Sequence, residues 1–325
     1  MARLAPFARK GFWLATHAIV VAAIATMLIG LAARKSWVFE LATHFRLQCF
    51  LVLALATFLY ACGRRFRLAA LAGVIAGGIA WTFLPFYVSP DDAWPTSLSR
   101  SLRFVSMNVM RFNADHQRVL NYVRKVKPDV LLAIEVSPRW AKALEPLRDE
   151  FVSAHYFPRD GSLGMAVFSQ LPLDDVKTEL TAWGVPLVVA RLQFEGRPLT
   201  VFGAHPPSPV DASLAQARLQ SLEETAVLIQ NVAGRVVLMG DLNMTSWSPY
   251  FVDLLASTGL RDTRLGFGIQ PSWAPRSLGL LPMPMRIPID HCLVSKGMFI
   301  HDRRLGDDIG SDHFPIEIDL SLAED

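Results

Sequence analysis

The chain opens on three long apolar stretches almost free of charge. Only after residue 100 do its apolar positions break into short runs separated by polar, turn-rich segments. Residues 11–33 hold no formal charge over 23 positions. A helix rising about 1.5 Å per residue crosses a hydrocarbon core of ~30 Å with about 20 residues, so this stretch predicts one span. Residues 47–63 predict a second span, the shortest of the three, and residues 68–90 a third, with Gly73 and Gly77 four apart. Small residues at that spacing let helices approach closely, although in a single sequence the spacing is more often coincidence. A cleaved signal peptide would carry an apolar region of roughly 7–15 residues, with no further spans behind it, so a membrane anchor over residues 1–90 is expected.

Residues 91–101 read as a polar linker, and residues 102–325 as one α/β domain. Apolar runs predict strands at 102–109, 129–136, 164–170, 186–194, 198–205, 235–241, 290–295 and 314–320. Between them, Val119, Leu120, Val123 and Val126 recur at helical spacing. A second helix is expected from Pro138, suited to a first-turn position, to about Arg148, and a third over 211–230 capped by Asp211.

Composition sharpens this division. The 325 residues are 52% hydrophobic and 19% charged with a net charge of +3, which excludes a disordered or low-complexity chain. The first 90 residues hold nine Lys and Arg against the single acid Glu40, leaving 23 basic and 28 acidic side chains beyond them. The basic character therefore belongs to the flanks of the apolar stretches, and the domain is mildly acidic. Arg3, Arg9, Lys10, Arg64, Arg65 and Arg67 outweigh Arg34, Lys35 and Arg46. By the positive-inside rule the N-terminus is cytoplasmic, and three spans carry the domain to the periplasmic, extracytoplasmic side of a cell inner membrane. His17, inside the first stretch, is expected to be neutral or interfacial. Cys49, Cys62 and Cys292 offer neither a pair within the domain nor a metal-binding spacing.

Polar residues able to do chemistry gather at strand ends: Asn108, Glu135, His205, Asp241 with Asn243, Asp290, and Asp312 with His313. Each alone has an ordinary reading as a turn former, helix-start acid or strand terminator. In α/β architectures, however, such positions converge on one rim where ligands bind. His44, His116, His155, His291 and His301 are expected to be structural.

The ordered strings SMNV, LLAIEV, GMAVFSQLP, FGAHP, GDLN, IDHCLVS and GSDHFPIEI resemble the endonuclease/exonuclease/phosphatase (DNase I-like) superfamily over residues 102–320. GDLN alone is weak, whereas the set in this order is specific. An N-terminal anchor also looks like that of membrane-anchored bacterial members. The resemblance implies a two-sheet α/β sandwich and a metal-dependent phosphodiester hydrolase. It implies that Glu135 with Asn108 holds Mg²⁺ or Mn²⁺, with Asp312 as a second metal contact. Asp241 would orient or deprotonate water, Asn243 and His205 would donate to the phosphoryl oxygens, and His313, paired with Asp290, would contact the scissile phosphate. Whether histidine or aspartate is the base stays open.

Arg286 and Trp273 are candidate substrate contacts, with core packing the expected role for Trp273. The expected partners are the lipid bilayer and a phosphoester substrate, either nucleic acid or lipid head group, with no stable protein partner. The acidic domain does not advertise a nucleic-acid groove, although Arg159, Arg276 and Arg286 could cluster locally. The long apolar loop 265–288 suits a lipid phosphodiester equally well as it suits packing on its own domain. A phosphomonoesterase and a non-catalytic binding module are the further alternatives; the full set of polar residues speaks against the latter. A calcineurin-like phosphoesterase would need Asp-x-His and Gly-Asn-His strings, which the sequence lacks.

Overall fold

The computed structural model describes residues 6–88, 100–278 and 282–322. Most of the expected linker, the last two residues of the third apolar stretch and positions 279–281 of the apolar loop lie outside the described residues. The polypeptide divides into two compact units, one of residues up to Pro85 together with Trp247–Pro249, the other of the remaining chain.

The first unit is helical: α1 (Pro6–Leu31), α2 (Trp37–Leu41), α3 (Arg46–Cys62) and α4 (Phe66–Trp81). Two helical runs, Ala8–Leu31 and Trp37–Cys62, are long and apolar enough to cross a membrane. Only 17% and 22% of their most apolar windows are buried, which sets them apart from core helices of a water-soluble fold. Leu14, Val21, Leu31, Phe58, Val74 and Trp81 lie exposed on this unit, leaving an apolar outer surface suited to lipid. The shortest stretch in the sequence gains length because α2 and a 3₁₀ turn (Ala42–Phe45) lead directly into α3. The third is the short one instead: α4 has 16 residues, about 24 Å. It ends where Thr82 donates its hydroxyl to the Ile79 carbonyl, with Pro85 following, which cannot continue a helix. Length and apolarity thus support two of the three expected spans.

Both α1 and α4 pack on α3. The approach of α1 requires Gly63, where a Cβ would fall 2.4 Å from the Trp13 ring. Of the two spaced glycines, Gly73 faces Thr57 of α3, while the Cβ position of Gly77 has no described atom within 4 Å. The close approach is made by one glycine, not by a paired motif.

The second unit is a two-sheet sandwich. One sheet runs in the order β11 (Met298–Leu305), β12 (Ile316–Leu322), β1 (Leu102–Asn108), β2 (Val130–Ile134), β4 (Met165–Ser169), β3 (Ser153–Phe157). The other runs β5 (Leu173–Leu180), β6 (Pro186–Phe194), β7 (Arg197–Ala204), β8 (Arg235–Asp241), β10 (Asp290–Val294), β9 (Arg261–Asp262). The inner faces meet through Phe104, Leu132, Ile134 and Val167 on one side and Val188, Val201, Val237 and Met239 on the other. Alternate residues of the same strands face outward. Val105, Met107 and Leu131 receive α5 (His116–Val126) and α6 (Pro138–Leu144). Phe202 and Leu238 receive α7 (Ala212–Gln230) and α8 (Pro249–Thr258).

Asp115 caps α5 through the Arg118 amide, and Ser137 caps α6 through that of Trp140, ahead of Pro138. As expected, Asp211 caps α7, accepting from the Leu214 amide. The eight strands expected from apolar runs all form, with boundaries shifted by a residue or two. The four not expected, β3, β5, β9 and β11, are the four sheet edges.

Candidate active site

Strand register brings the chemistry-bearing residues to one end of the sandwich. Asn108, the last residue of β1, lies opposite Ile134 in the parallel β2, so Glu135 emerges beside it. Ala204 of β7 lies opposite Gly240 of the parallel β8, which sets His205 next to Asp241. Antiparallel β10 places Asp290 directly opposite Asp241. Gly240 is required here: its φ is +146°, and a Cβ would lie 1.9 Å from the Ala204 carbonyl oxygen. Glu135 takes a left-handed φ of 65°, a conformation costing a non-glycine residue of order 1–3 kcal/mol and characteristic of functional positions.

Two sheets contribute to one cluster. The Asn108 amide nitrogen lies 3.2 Å from Glu135 Oε1, 3.4 Å from Asp241 Oδ2 and 3.4 Å from His313 Nε2. Its oxygen accepts from the Met110 backbone at 2.9 Å, and Glu135 Oε2 accepts from the Arg111 backbone at 2.9 Å. Asp241 Oδ2 is flanked by His205 Nε2 at 3.5 Å and His313 Nε2 at 3.6 Å, while its Oδ1 accepts from the Asn243 amide at 2.9 Å. Behind the histidines, Ser162 O lies 2.9 Å from His205 Nδ1, and Asp290 Oδ2 lies 2.9 Å from His313 Nδ1. Asn243, in a left-handed turn at φ 52°, donates its side-chain amide to Pro206 O and accepts from Ser208. One amide hydrogen is therefore engaged, and a second is left for another acceptor.

Burial and charge fix the ionisation pattern. Burial alone would push Asp241 up, but His313 and His205 outweigh it and hold the carboxyl below its ordinary range. Burial likewise opposes the charged form of His313, yet Asp290 and Asp241 carry it up to about 10. His205 is raised by the same competition, with Asp241 the main opposing influence. The result is a carboxylate whose ionised form is favoured, beside a protonated His313 and a His205 whose charged form is favoured by the same carboxylate. Asp241, Asp290 and His313 also offer donor atoms all within 4.8 Å of one another.

Asp312 stands apart from that trio, accepting from the Trp273 indole at 3.1 Å, with Ser311 Oγ 3.4 Å from its other oxygen. Trp273 itself is half-buried, bridged by backbone to Ile287 and His313. Arg286 is not placed as a substrate contact. It is buried, donates to the carbonyls of Ser272 and Asp312, and stacks on Phe314. The local basic cluster of Arg159, Arg276 and Arg286 therefore loses its third member to the interior, and Arg276 donates to Gly310 O.

Two serines were not legible as site residues. Ser272 donates to Asp290 Oδ2 at 2.5 Å, and Ser311 donates to Asn108 O while accepting from the His313 amide. Ser311 stood inside a quoted string, GSDHFPIEI. Ser272 lies in a loop whose pairing with Asp290 depends on a bridge, Trp273 to Ile287, that no local pattern announces.

The model of the endonuclease/exonuclease/phosphatase family matches residues 105–313. The chain belongs to that family. Endonuclease/exonuclease/phosphatase proteins are hydrolases acting on phosphoester bonds, and the matched region takes in every site residue named above.

Solved structures agree on the fold. D. rerio TDP2 complexed with single-strand DNA product is 20% identical, with 68% of this chain and 99% of that one covered at a TM-score of 0.56. An endonuclease/exonuclease/phosphatase from Beutenbergia cavernae is 20% identical, covering 69% and 72% at 0.54. Sphingomyelinase C from Streptomyces griseocarneus is 17% identical, covering 68% and 99% at 0.50. No curated protein matches the sequence.

Proposed function

We propose that this family member is a metal-dependent phosphodiester hydrolase tethered to a membrane. The observation that carries the reading is the Asp241 carboxylate set between His205 and His313, with Asp290 behind the latter. Such a site holds one acceptor for a water proton among donors for a charged phosphoryl group. Ionised Asp241 accepts from the attacking water and orients it. His205, His313 and the second amide hydrogen of Asn243 donate to phosphoryl oxygens as negative charge develops there. Asp290 holds the His313 ring in place through Nδ1, leaving Nε2 for substrate.

The donor chemistry fits a hard divalent cation. Glu135 is half-exposed and its carboxylate suits Mg²⁺ or Mn²⁺; Asn108 adjoins it, its amide oxygen keeping a lone pair beyond the one that accepts from Met110, and Asp312 supplies a further carboxylate. When bound, the ion would neutralise phosphoryl charge and polarise the ester. The Asp241, Asp290 and His313 trio is better assigned to proton and charge handling, because His313 Nδ1 is already engaged by Asp290.

A lipid phosphodiester is the favoured substrate. Phe112 at the site rim and Met283 and Met285 in the apolar loop are exposed, while the domain carries more acidic than basic side chains. A nuclease acting at a membrane, a phosphomonoesterase and a non-catalytic module are the alternatives. The membrane reading extends to three crossings with the N-terminus inside, which puts the domain on the extracytoplasmic side; two crossings would return it to the cytoplasm.

The test is hydrolysis of bis(p-nitrophenyl) phosphate by the full chain in detergent with Mg²⁺ or Mn²⁺. Asp241→Ala and His313→Ala are expected to lose at least roughly a hundredfold in rate. Equal activity in all three proteins would overturn the proposal.

A further inference from the structure

Away from the catalytic unit, α1 and α4 flank α3 without closing on each other and leave a cleft of about 310 Å³. Its walls are Val20, Val21 and Ile24 of α1 and Leu68, Leu71 and Ala72 of α4, with His17 and Tyr60 also lining it. An apolar trough facing lipid is unremarkable by itself. What distinguishes this one is a set of polar groups where α1 passes the turn between α3 and α4.

There, Arg65 Nη1 lies 3.1 Å from His17 Nε2, His17 Nδ1 lies 2.6 Å from the Tyr60 hydroxyl, and the Arg65 guanidinium sits 4.4 Å over the Trp13 ring. Arginine only donates, so Nε2 accepts and the imidazole proton is on Nδ1. Nδ1–H therefore donates to the Tyr60 oxygen, and the Tyr60 hydroxyl hydrogen points away from the histidine. Tyr60 is 2% exposed. The cleft thus ends at a buried O–H donor beside the Arg65 guanidinium, with the exposed Arg64 on the same turn and the exposed Arg67 at the start of α4. All three cations lie on the side assigned to the cytoplasm, where anionic headgroups attract basic side chains.

We infer that this cleft is a binding site for one anionic phospholipid, its acyl chain along the α1–α4 trough and its phosphate held by Arg65 with the Tyr60 hydroxyl. Charge complementarity selects the occupant: a zwitterionic lipid brings its own cation to a site that already has three, whereas an anionic one does not. The stacked Trp13, Tyr60 and His17 rings hold the donors in position before the lipid arrives, which limits the ordering cost of binding. The inference rests on the membrane reading and is independent of the catalytic one.

The full chain, purified in detergent, is titrated with dioleoylphosphatidylglycerol or dioleoylphosphatidylcholine, and retained lipid is read by native mass spectrometry. The wild type is expected to retain the glycerol lipid about tenfold better, because the choline cation of the other lipid is repelled by the arginine side chains at the phosphate end. Arg65→Gln should erase that preference, and Tyr60→Phe, which keeps the ring stack, should reduce it several-fold. Val21→Trp, at a position 64% exposed and tolerant of bulk, should fill the trough and lower retention of both lipids. Equal retention of the two lipids by the wild type, a preference unaltered in Arg65→Gln, or retention undiminished in Val21→Trp, overturns the site. Carbonate extraction of membranes separates the two readings. A chain released as soluble protein overturns the membrane reading and the site together, whereas an extraction-resistant chain without lipid preference overturns the site alone.

Discussion

Ser272 donates its hydroxyl to the same Asp290 oxygen that faces His313 Nδ1, so a residue outside the proposed catalytic set fixes the angle of one within it. Ser272→Ala is expected to lower kcat roughly tenfold while KM stays within about twofold, the loss of one buried hydrogen bond to a charged group. Ser272→Thr should restore most of the rate, and steady-state kinetics with bis(p-nitrophenyl) phosphate distinguishes this from a general loss of fold. His291 gives a second prediction. Its ring is buried, accepts from Arg264 and faces Met244 O, and burial with the Arg264 charge pushes it down to about 3 from an ordinary 6.5. Below pH 6.5 the unfolded chain takes up a proton that the folded one refuses until about pH 3. Stability is therefore full above 6.5 and falls through that window, by up to about 1.4 kcal/mol per pH unit. Asp262, held low against burial mainly by Arg264, works in the same direction at lower pH. Because His313 gains stability as pH falls to 6.5, the readout is the difference between proteins: urea melts at pH 6.5 and 5.0 should show a larger loss in the wild type than in His291→Gln, and equal losses would sink the assignment. The sequence placed Asn108, Glu135, His205, Asp241, Asn243, Asp290 and His313 at strand ends, and they meet. It could not reveal that Arg286 turns inward, because a surface arginine and a buried one bound to two carbonyls look alike until the loop around them is folded.

The strands legible in the sequence are those with two neighbours, covered on both faces and therefore written as unbroken apolar runs. The strands β3, β5, β9 and β11 each border open solvent along one side. Segments such as LDDVKTEL and MFIHDRRL carry the charges that keep such borders from pairing with other molecules. Their polarity is the price of solubility at an edge, and it removes the periodic signal. Helix α8 went unread for a different reason: its apolar face is short and begins at Pro249, directly after a loop. At this scale the most exacting position is Gly240. Gly240→Ala would drive a methyl into the Ala204 carbonyl between His205 and Asp241. The expected cost is more than about 2 kcal/mol with loss of activity, checked by thermal melts and the phosphodiester assay.

For the molecule as a whole, composition separates an apolar, basic-flanked segment from an acidic one, and the chain divides into two compact units at Pro85. How many helices are long and apolar enough to cross a membrane was less legible, because apolar content alone could not show that α3 would be lengthened from Trp37 or that α4 would stop at Trp81. A reporter fused after residue 325 should be active only outside the cytoplasm if three helices cross. A cytoplasmic signal would mean that two do. Chelation with EDTA should abolish hydrolysis, and Mg²⁺ or Mn²⁺ should restore it; activity indifferent to chelation would remove the ion from the mechanism.

The site is split between the sheets. Asn108 and Glu135 come from one, with His313 leading into its β12, and His205, Asp241 and Asp290 from the other; the Asn108 amide reaches Asp241 across the seam at 3.4 Å. Just beneath, the Leu132 side chain fits where Gly203 of the opposite sheet has no Cβ; an added one would fall 2.6 Å from it. Turnover is consequently a gauge of alignment between the two halves. A slip of one sheet over the other, too small to change a circular dichroism spectrum, would pull the amide from Asp241 and silence the chemistry first. Leu132→Ala, expected to cost roughly 2–5 kcal/mol, should therefore lose activity in rising urea well before it loses secondary structure.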